Sequence, residues 1–212
     1  MLSNILPGVL VNKISILPPS CGRIMVDGTD VQTRLRAWQR QIGYVPQAIF
    51  LADDSLRRNI ALGVPDDAID ENKVQAAVSM AQLEAFVAAL PAGLDTYVGE
   101  RGVRLSGGER QRIGIARALY HEPGVLVFDE ATSALDNRTE GEVVRAIAAL
   151  HGTKTLLIIA HRLSTVRHCD RLVLLVNGRV AACGSFDELV AHSPDFRTLT
   201  TLAGRDGSAL QA

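Results

Sequence analysis

Two short apolar runs constrain the fold of this chain more than any other feature. Residues 125–128 and 156–159 are apolar at every position, a pattern typical of parallel strands that are covered on both faces. Between them, residues 137–150 carry apolar side chains at helical spacing after Asp136, a side chain suited to capping a helix. The pattern predicts a strand–helix–strand crossover whose two strands lie side by side in a parallel sheet.

Other segments extend this pattern into a layered α/β fold, because β-branched runs alternate with helical periodicity. The predicted strands are residues 23–26, 42–45, 125–128, 155–160 and 172–176. Residues 177–178 (Asn-Gly) predict a hairpin turn, and residues 185–188 a capping box at a helix start. Residues 53–90 predict an inserted helical subdomain with an apolar stripe formed by Val74, Ala77, Val78, Ala81 and Phe86.

Charge and cysteine content exclude some classes of partner. A net charge of −1 over 212 residues gives no electrostatic reason to expect binding to nucleic acid or to an anionic membrane. The three cysteines lack metal-ligand spacing and are expected to be reduced thiols. The sequence has no apolar run of about 18 residues and no secretory signal pattern, so a cytoplasmic location is expected.

A glycine-rich turn at residues 105–112 (LSGGERQR) opens an amphipathic helix. The start of a helix presents free N–H groups and a positive dipole end to an anion. Ser106 adds a hydroxyl donor, and Gly107 and Gly108 allow a phosphate to approach the backbone closely. Taken alone, the turn is equally compatible with an ordinary helix cap.

Two adjacent carboxylates follow the apolar strand at residues 125–128. We expect Asp129 to hold Mg²⁺ directly or through water, and Glu130, one residue beyond the strand, to polarise an attacking water as general base. A solvated acidic loop without chemistry is the alternative.

Five motifs in this order make the chain similar to the nucleotide-binding domain of ABC transporters over roughly residues 20–195. They resemble the Q-loop, the signature, the Walker B strand, the D-loop and the switch histidine, at residues 45–47, 105–112, 125–130, 133–136 and 159–162. The resemblance implies a P-loop NTPase-like fold, with a mostly parallel sheet flanked by helices and an inserted helical subdomain. It also implies ATP and Mg²⁺ as ligands.

By the same resemblance, Gln47 would sense the γ-phosphate, Mg²⁺ and water, and His161 would contact the γ-phosphate and orient the water. Asp136 would communicate across a dimer of two cassettes. The residues that would close on the ATP of the opposite subunit are Ser106, Gly107, Gly108 and Glu109. One cassette is therefore expected to form half of a pair of sites with a second cassette, identical or different.

Residues 98–102 (VGERG) resemble the X-loop of exporters, which touches the transmembrane domain. This resemblance selects an exporter at the cytoplasmic face of the membrane. We expect one ABC ATPase domain over residues 1–212, with a helical subdomain at about 48–120, the catalytic core at 121–195 and a flexible tail at 204–212. The transported substrate would be determined by membrane helices that are not in these residues.

The 212 residues contain no GxxxxGK[ST] loop, which in this family holds the ATP phosphates. Counting back without gaps puts Leu6 and Pro7 where lysine and serine or threonine belong, and neither side chain can replace them. The chain alone is therefore not expected to hydrolyse ATP. A truncated piece of a longer transporter is favoured over a natural partner cassette that supplies only its signature.

Three functions remain open: an ATPase part of an exporter, a non-catalytic partner that completes another cassette's site, and a chromosome-maintenance ATPase. The last class shares several motifs but places long coiled coils between Q-loop and signature. Here that interval holds a short helical segment without sustained heptads, which favours the exporter.

Overall fold

The computed structural model describes residues 19–99, 103–132, 135–160 and 162–208. Its strands are β1 (Met25–Val26), β2 (Thr29–Asp30), β3 (Ile42–Val45), β4 (Asp54–Ser55), β5 (Tyr97–Val98), β6 (Val125–Asp129), β7 (Thr155–Ile159), β8 (Leu172–Val176) and β9 (Arg179–Gly184). Its α-helices are α1 (Leu35–Gln39), α2 (Leu56–Ile60), α3 (Glu71–Met80), α4 (Glu84–Ala89), α5 (Gly107–Leu119), α6 (Asn137–Ala149), α7 (Leu163–Val166), α8 (Phe186–His192) and α9 (Pro194–Ser208).

The predicted strands are confirmed with small differences at their ends. The predictions for 42–45 and 172–176 agree in full, and those for 125–128 and 155–160 agree to within one residue. In the first predicted strand, only Met25–Val26 is extended, and it pairs antiparallel with Thr29–Asp30.

The described residues divide into two compact units, of which Arg40–Ala160 forms one. Its centre is a three-stranded parallel sheet in the order β3-β6-β7. The two apolar runs are therefore neighbours, as predicted. β6 lies in the middle of this sheet with Leu126, Val127 and Phe128 buried, which explains why its interior carries no polar residue.

Helix α5 approaches β3 closely at Gly43. A Cβ at Gly43 would lie 2.9 Å from the Ala118 carbonyl oxygen and 2.7 Å from Cδ2 of Leu126. Real Cβ atoms do not approach neighbours this closely, so the packing requires glycine there. The contact fixes the helix that follows residues 105–108 against the edge strand of the sheet.

The helical segment of this unit also packs against α5. Of its predicted stripe, Val74, Ala77, Val78 and Ala81 are fully buried and Phe86 is partly buried. Arg117 on α5 donates from Nε to the Asn59 carbonyl oxygen at 2.8 Å, and burial lowers the pKa of its guanidinium. These contacts join the inserted helices to the sheet through one shared helix.

The second unit comprises the described residues before Arg40 and after His161. The predicted hairpin is confirmed, because β8 and β9 pair antiparallel across Asn177 (φ 50°) and Gly178 (φ 74°). The predicted capping box is also present, between Ser185 and Glu188. The small core of this unit contains Leu172, Leu189 and Phe196.

The last helix, Pro194–Ser208, includes residues 204–208, for which the polar composition predicts a flexible tail. Its first turn is anchored by the buried Phe196, and extending an existing helix costs little per residue. None of the helices in the described residues has the length and apolar content needed to cross a bilayer.

Candidate functional site

The candidate polar residues of Arg40–Ala160 gather at one edge of its parallel sheet. Val45 pairs with Phe128, and Asp129 pairs with Ile159, so the carboxyl ends of β3, β6 and β7 lie in line. Asp129 and Glu130 follow β6 directly, and Gln47 is two residues beyond β3. Ligands of open α/β sheets bind outside this end of the strands.

Glu130 is held where the chain turns away from the sheet. Its N–H donates to the Ile159 carbonyl oxygen at 2.9 Å, and its backbone has φ 51°, in the left-handed region. Such a conformation costs on the order of 1 kcal/mol for a residue with a side chain. The turn separates the half-buried Glu130 from Asp129, which still belongs to the strand.

Asp129 has a partner that the sequence did not reveal. The Tyr44 hydroxyl donates to Oδ2 of Asp129 at 2.6 Å, across 85 residues of sequence. Desolvation of the phenol, then this hydrogen bond and the carboxylate's charge, raise the pKa of Tyr44 to about 12. The tyrosine remains a neutral donor that orients the carboxylate. Tyr44 lies in the predicted strand 42–45, whose pairing with 125–128 was not predicted, so no local signal pointed to this contact.

The residues at this edge carry oxygen ligands, the kind that Mg²⁺ prefers. The described residues contain no group of three or more His, Cys, Asp or Glu side chains that could hold a metal. Mg²⁺ prefers oxygen ligands and is usually bound by one or two carboxylates together with water and substrate phosphates. Asp129 and the amide oxygen of Gln47 are ligands of this kind.

The start of α5 is a complete capping box. Oγ of Ser106 accepts the N–H of Glu109 at 3.2 Å, and Oε2 of Glu109 accepts the N–H of Ser106 at 2.7 Å. The ordinary cap considered from the sequence is thus present. It leaves the Ser106 hydroxyl hydrogen available for donation, because the oxygen acts here as acceptor. Ser106 and Gly107 are exposed, and Gly108 is buried.

Both signature glycines lie against neighbouring side chains, and at Gly108 the packing requires glycine. A Cβ at Gly107 would lie 2.8 Å from Cδ2 of Leu135, and one at Gly108 would clash with Cγ2 of Thr139. Asp136 fixes Thr139 in turn, accepting its N–H at 3.1 Å and its hydroxyl at 2.7 Å. The segment that follows Glu130 therefore supports the start of α5, a contact that sequence analysis missed.

Several predicted site residues lie outside the described part of the chain. These are His161, Ser133 and Ala134 of the D-loop, and Glu100, Arg101 and Gly102 of the X-loop. The described strand β7 ends at Ile159, opposite Asp129. The structure thus brings Gln47, Asp129 and Glu130 to one edge, and Asp136 beside the capped start of α5.

The family model described as "ABC transporter" matches residues 9–133, more than half of the chain. The chain belongs to the ABC transporter family. A putative multidrug export ATP-binding/permease protein, YgaD of Bacillus subtilis, is 39% identical over 194 residues, which are 89% of this chain and 33% of that protein. An ATP-dependent lipid A-core flippase of Cupriavidus metallidurans is 44% identical over 187 residues, 87% of this cassette and 32% of the flippase.

Exporters recur among the similar proteins and structures. The cyclolysin secretion/processing ATP-binding protein CyaB of Bordetella pertussis is 46% identical over 188 residues, covering 88% of this cassette and 26% of CyaB. The structure of a bacterial Atm1-family ABC exporter with ATP bound has a TM-score of 0.75 and 40% identity, covering 90% of this cassette and 33% of that chain. The predicted exporter-type nucleotide-binding domain and its P-loop NTPase-like fold are confirmed. The cassette spans at most about a third of these relatives.

Proposed function

We propose that this cassette is the ATP-binding part of an ABC exporter, which works as one half of a cassette dimer at the cytoplasmic face of a membrane. In this dimer its signature end completes the site of the ATP held by the opposite subunit. ATP hydrolysis at the dimer interface drives transport through a transmembrane domain.

The exposed, capped start of α5 is the observation that carries this proposal. Ser106 and Gly107 are exposed, and the helix dipole adds positive potential there. Packing against Leu135 and Thr139 fixes the backbone of this turn before any ligand arrives. A preorganised donor surface of this kind suits a phosphate brought by a partner, because little ordering remains to be done on binding.

The two carboxylates at the sheet edge have different surroundings, which supports different roles. Asp129 is the last residue of β6 and is oriented by Tyr44, as a ligand of Mg²⁺ should be. Glu130 is beyond the strand, on a turn pinned to Ile159, and is placed to accept a proton from water. Gln47 and His161 would complete the coordination of metal, γ-phosphate and water.

An exposed aromatic surface on the same unit suits the transmembrane domain. Phe50 is 72% exposed and Tyr97 is 62% exposed. The pairing of Ser55 with Tyr97 and the close approach of Gly99 (φ 107°) to the Ala52 carbonyl bring the two segments together. Exposed aromatic residues are typical anchors of protein interfaces. We propose that this surface binds intracellular ends of transmembrane helices.

A second candidate is a partner cassette that hydrolyses no ATP of its own. The exposed Ser106 and Gly107 are compatible with this candidate as well, because they would act on the nucleotide of the opposite subunit. Such a cassette would still supply Ser106 and Gly107 to the nucleotide of a complete partner.

Association with a complete exporter cassette tests the proposed function. The partner would carry a hydrolysis-blocking substitution of its own catalytic glutamate, and sedimentation velocity would be measured in Mg-ATP and in Mg-ADP. We expect a mixed dimer in Mg-ATP alone, and none with Ser106→Arg, whose bulk and charge occupy the phosphate face. Signature docking would be contradicted if the dimer formed equally in Mg-ATP and Mg-ADP. It would also be contradicted if Ser106→Arg formed as much dimer as the wild type.

A further inference from the structure

We propose that Gln111 is a positioning residue that ties residues 46–50, the Q-loop segment, to helix α5, so that Gln47 and Ser106 respond together to nucleotide. The inference rests on the proposed function for its mechanistic meaning. The tie between the two segments is argued from contacts within the unit Arg40–Ala160 alone.

The central contact is a part-buried hydrogen bond whose donor side chain is buried. Nε2 of Gln111 donates to the carbonyl oxygen of Pro46 at 3.1 Å, and Gln111 is only 4% exposed. Pro46 directly precedes Gln47, and Gln111 lies on α5 five residues after Ser106. A partly buried carbonyl that loses its donor is left with part of its hydrogen-bonding capacity unsatisfied, so the bond favours one position of the loop.

Two further contacts continue along the same face of the helix. A Cβ at Gly114 would clash with the side chain of Ile49, which is 6% exposed. Nη1 of Arg117 donates to the carbonyl oxygen of Phe50 at 2.9 Å. Positions 111, 114 and 117 are three residues apart and therefore form one stripe on the helix. They contact positions 46, 49 and 50 in the same order.

This stripe links the parts that act on two different nucleotides. Gln47 would contact the ATP of its own chain, whereas Ser106 at the start of α5 would contact the ATP of the partner. Because the loop is fastened at three points to the helix, displacement of Gln47 has to move α5 or break these contacts. Coupling between two binding sites is reciprocal, so closure at Ser106 would also bias Gln47.

Hydrogen exchange of the full 212-residue chain tests the tie without any nucleotide. In Gln111→Met, which keeps the volume and removes the donor, we expect the amides of residues 47–50 to exchange at least about tenfold faster, since about 1.4 kcal/mol is a factor of ten. The amides of β6 should keep their wild-type rates. Gln75→Met, the same substitution at an exposed position of α3, is the matched control and should change neither.

Unchanged exchange at 47–50 would overturn the tie, as would equal acceleration in β6, which would show a general loss of stability. Should Gln111→Met fail to fold, Gln111→Glu retains the shape and replaces the donor with an acceptor, and the same two outcomes apply.

A second readout separates coupling from the proposed function itself. In a homodimer of a fusion that carries the GxxxxGK[ST] segment of a full-length relative, both nucleotides can be bound, and Gln111→Met should lower kcat at least about fivefold. KM for ATP should change little, because the residues that would hold the nucleotide are unaltered. Equal kcat in wild type and Gln111→Met would contradict coupling. An absence of ATP-dependent association already in the wild type would reject the proposed function, while the exchange result would still decide the tie.

Discussion

The sheet edge around Asp129 and the start of helix α5 belong to one unit but are built in opposite ways. At the sheet edge, charged side chains are oriented by hydrogen bonds, such as that from Tyr44 to Asp129. At the start of α5, the functional surface is backbone and one hydroxyl, fixed because Gly107 and Gly108 pack without Cβ atoms against Leu135 and Thr139. The first region should be sensitive to charge, and the second to shape.

Glu130→Gln is the sharpest test of the charge-sensitive region and should have the largest effect. The amide keeps the shape but accepts no proton, so turnover should fall by about 10²–10⁴-fold, the usual contribution of a general base. Phosphate release would be measured in a fusion that carries the GxxxxGK[ST] segment of a full-length relative. ATP-driven dimerisation should persist, and retained turnover would remove Glu130 from the base role.

Ser106→Arg tests the start of α5 in the same fusion. The added bulk and charge should prevent closure on the phosphate of the opposite subunit and lower ATPase activity by at least about tenfold, or about 1.4 kcal/mol. Ser106 is exposed, but its side chain caps α5, so loss of the cap should also lower the free energy of unfolding by about 1 kcal/mol. Unchanged ATPase in the homodimer would count against docking of the signature.

Gly108→Ala tests whether shape alone matters there. The new methyl group would clash with Thr139, so the free energy of unfolding should fall by about 1–3 kcal/mol, as for other overpacked sites. Gly141→Ala is the matched control on α6. A Cβ there would lie 3.9 Å from Nη1 of Arg145, an ordinary contact distance, so stability should rise by up to about 1 kcal/mol. Urea denaturation measures the free energy of unfolding of both variants. Equal changes in the two would show that Gly108 is not packed more tightly than Gly141.

Tyr44→Phe should have the smallest effect. A hydrogen bond to a carboxylate contributes about 1.5–3 kcal/mol, and solvent screening at this 37% exposed side chain reduces the expected loss of stability to about 1 kcal/mol. The pKa of Tyr44 is raised from 10.0 to about 12 in the folded state, so this stabilisation is present below pH 10 and is lost as the pH rises towards 12. Denaturation at pH 8 and pH 11 measures it, and a difference that grows with pH would contradict the assignment.

The sequence predicts features that depend on local pattern. Strand β6 and its carboxylates, the α6 crossover, the hairpin at Asn177 and the capping box at Ser185 follow from periodicity and turn chemistry within a few residues. Each of these is present in the structure.

The contacts that were missed depend on register and helix facing between distant segments. Tyr44 contacts Asp129 because β3 pairs with β6 in one particular register. Gln111 contacts Pro46 because the face of α5 that carries Gln111 packs against residues 46–50. A single sequence contains no local signal for either. The requirement for glycine at 108 was attributed to phosphate approach, whereas the structure adds a packing reason, Thr139.

The most direct test of the account is the ATP affinity of a complete, hydrolysis-deficient exporter cassette, measured by calorimetry with and without this chain. If the start of α5 completes the site of the opposite subunit, adding the chain should tighten ATP binding at least about tenfold, and the Ser106→Arg chain should not. An affinity that is the same with and without the chain, or that the Ser106→Arg chain raises equally, would contradict the central claim.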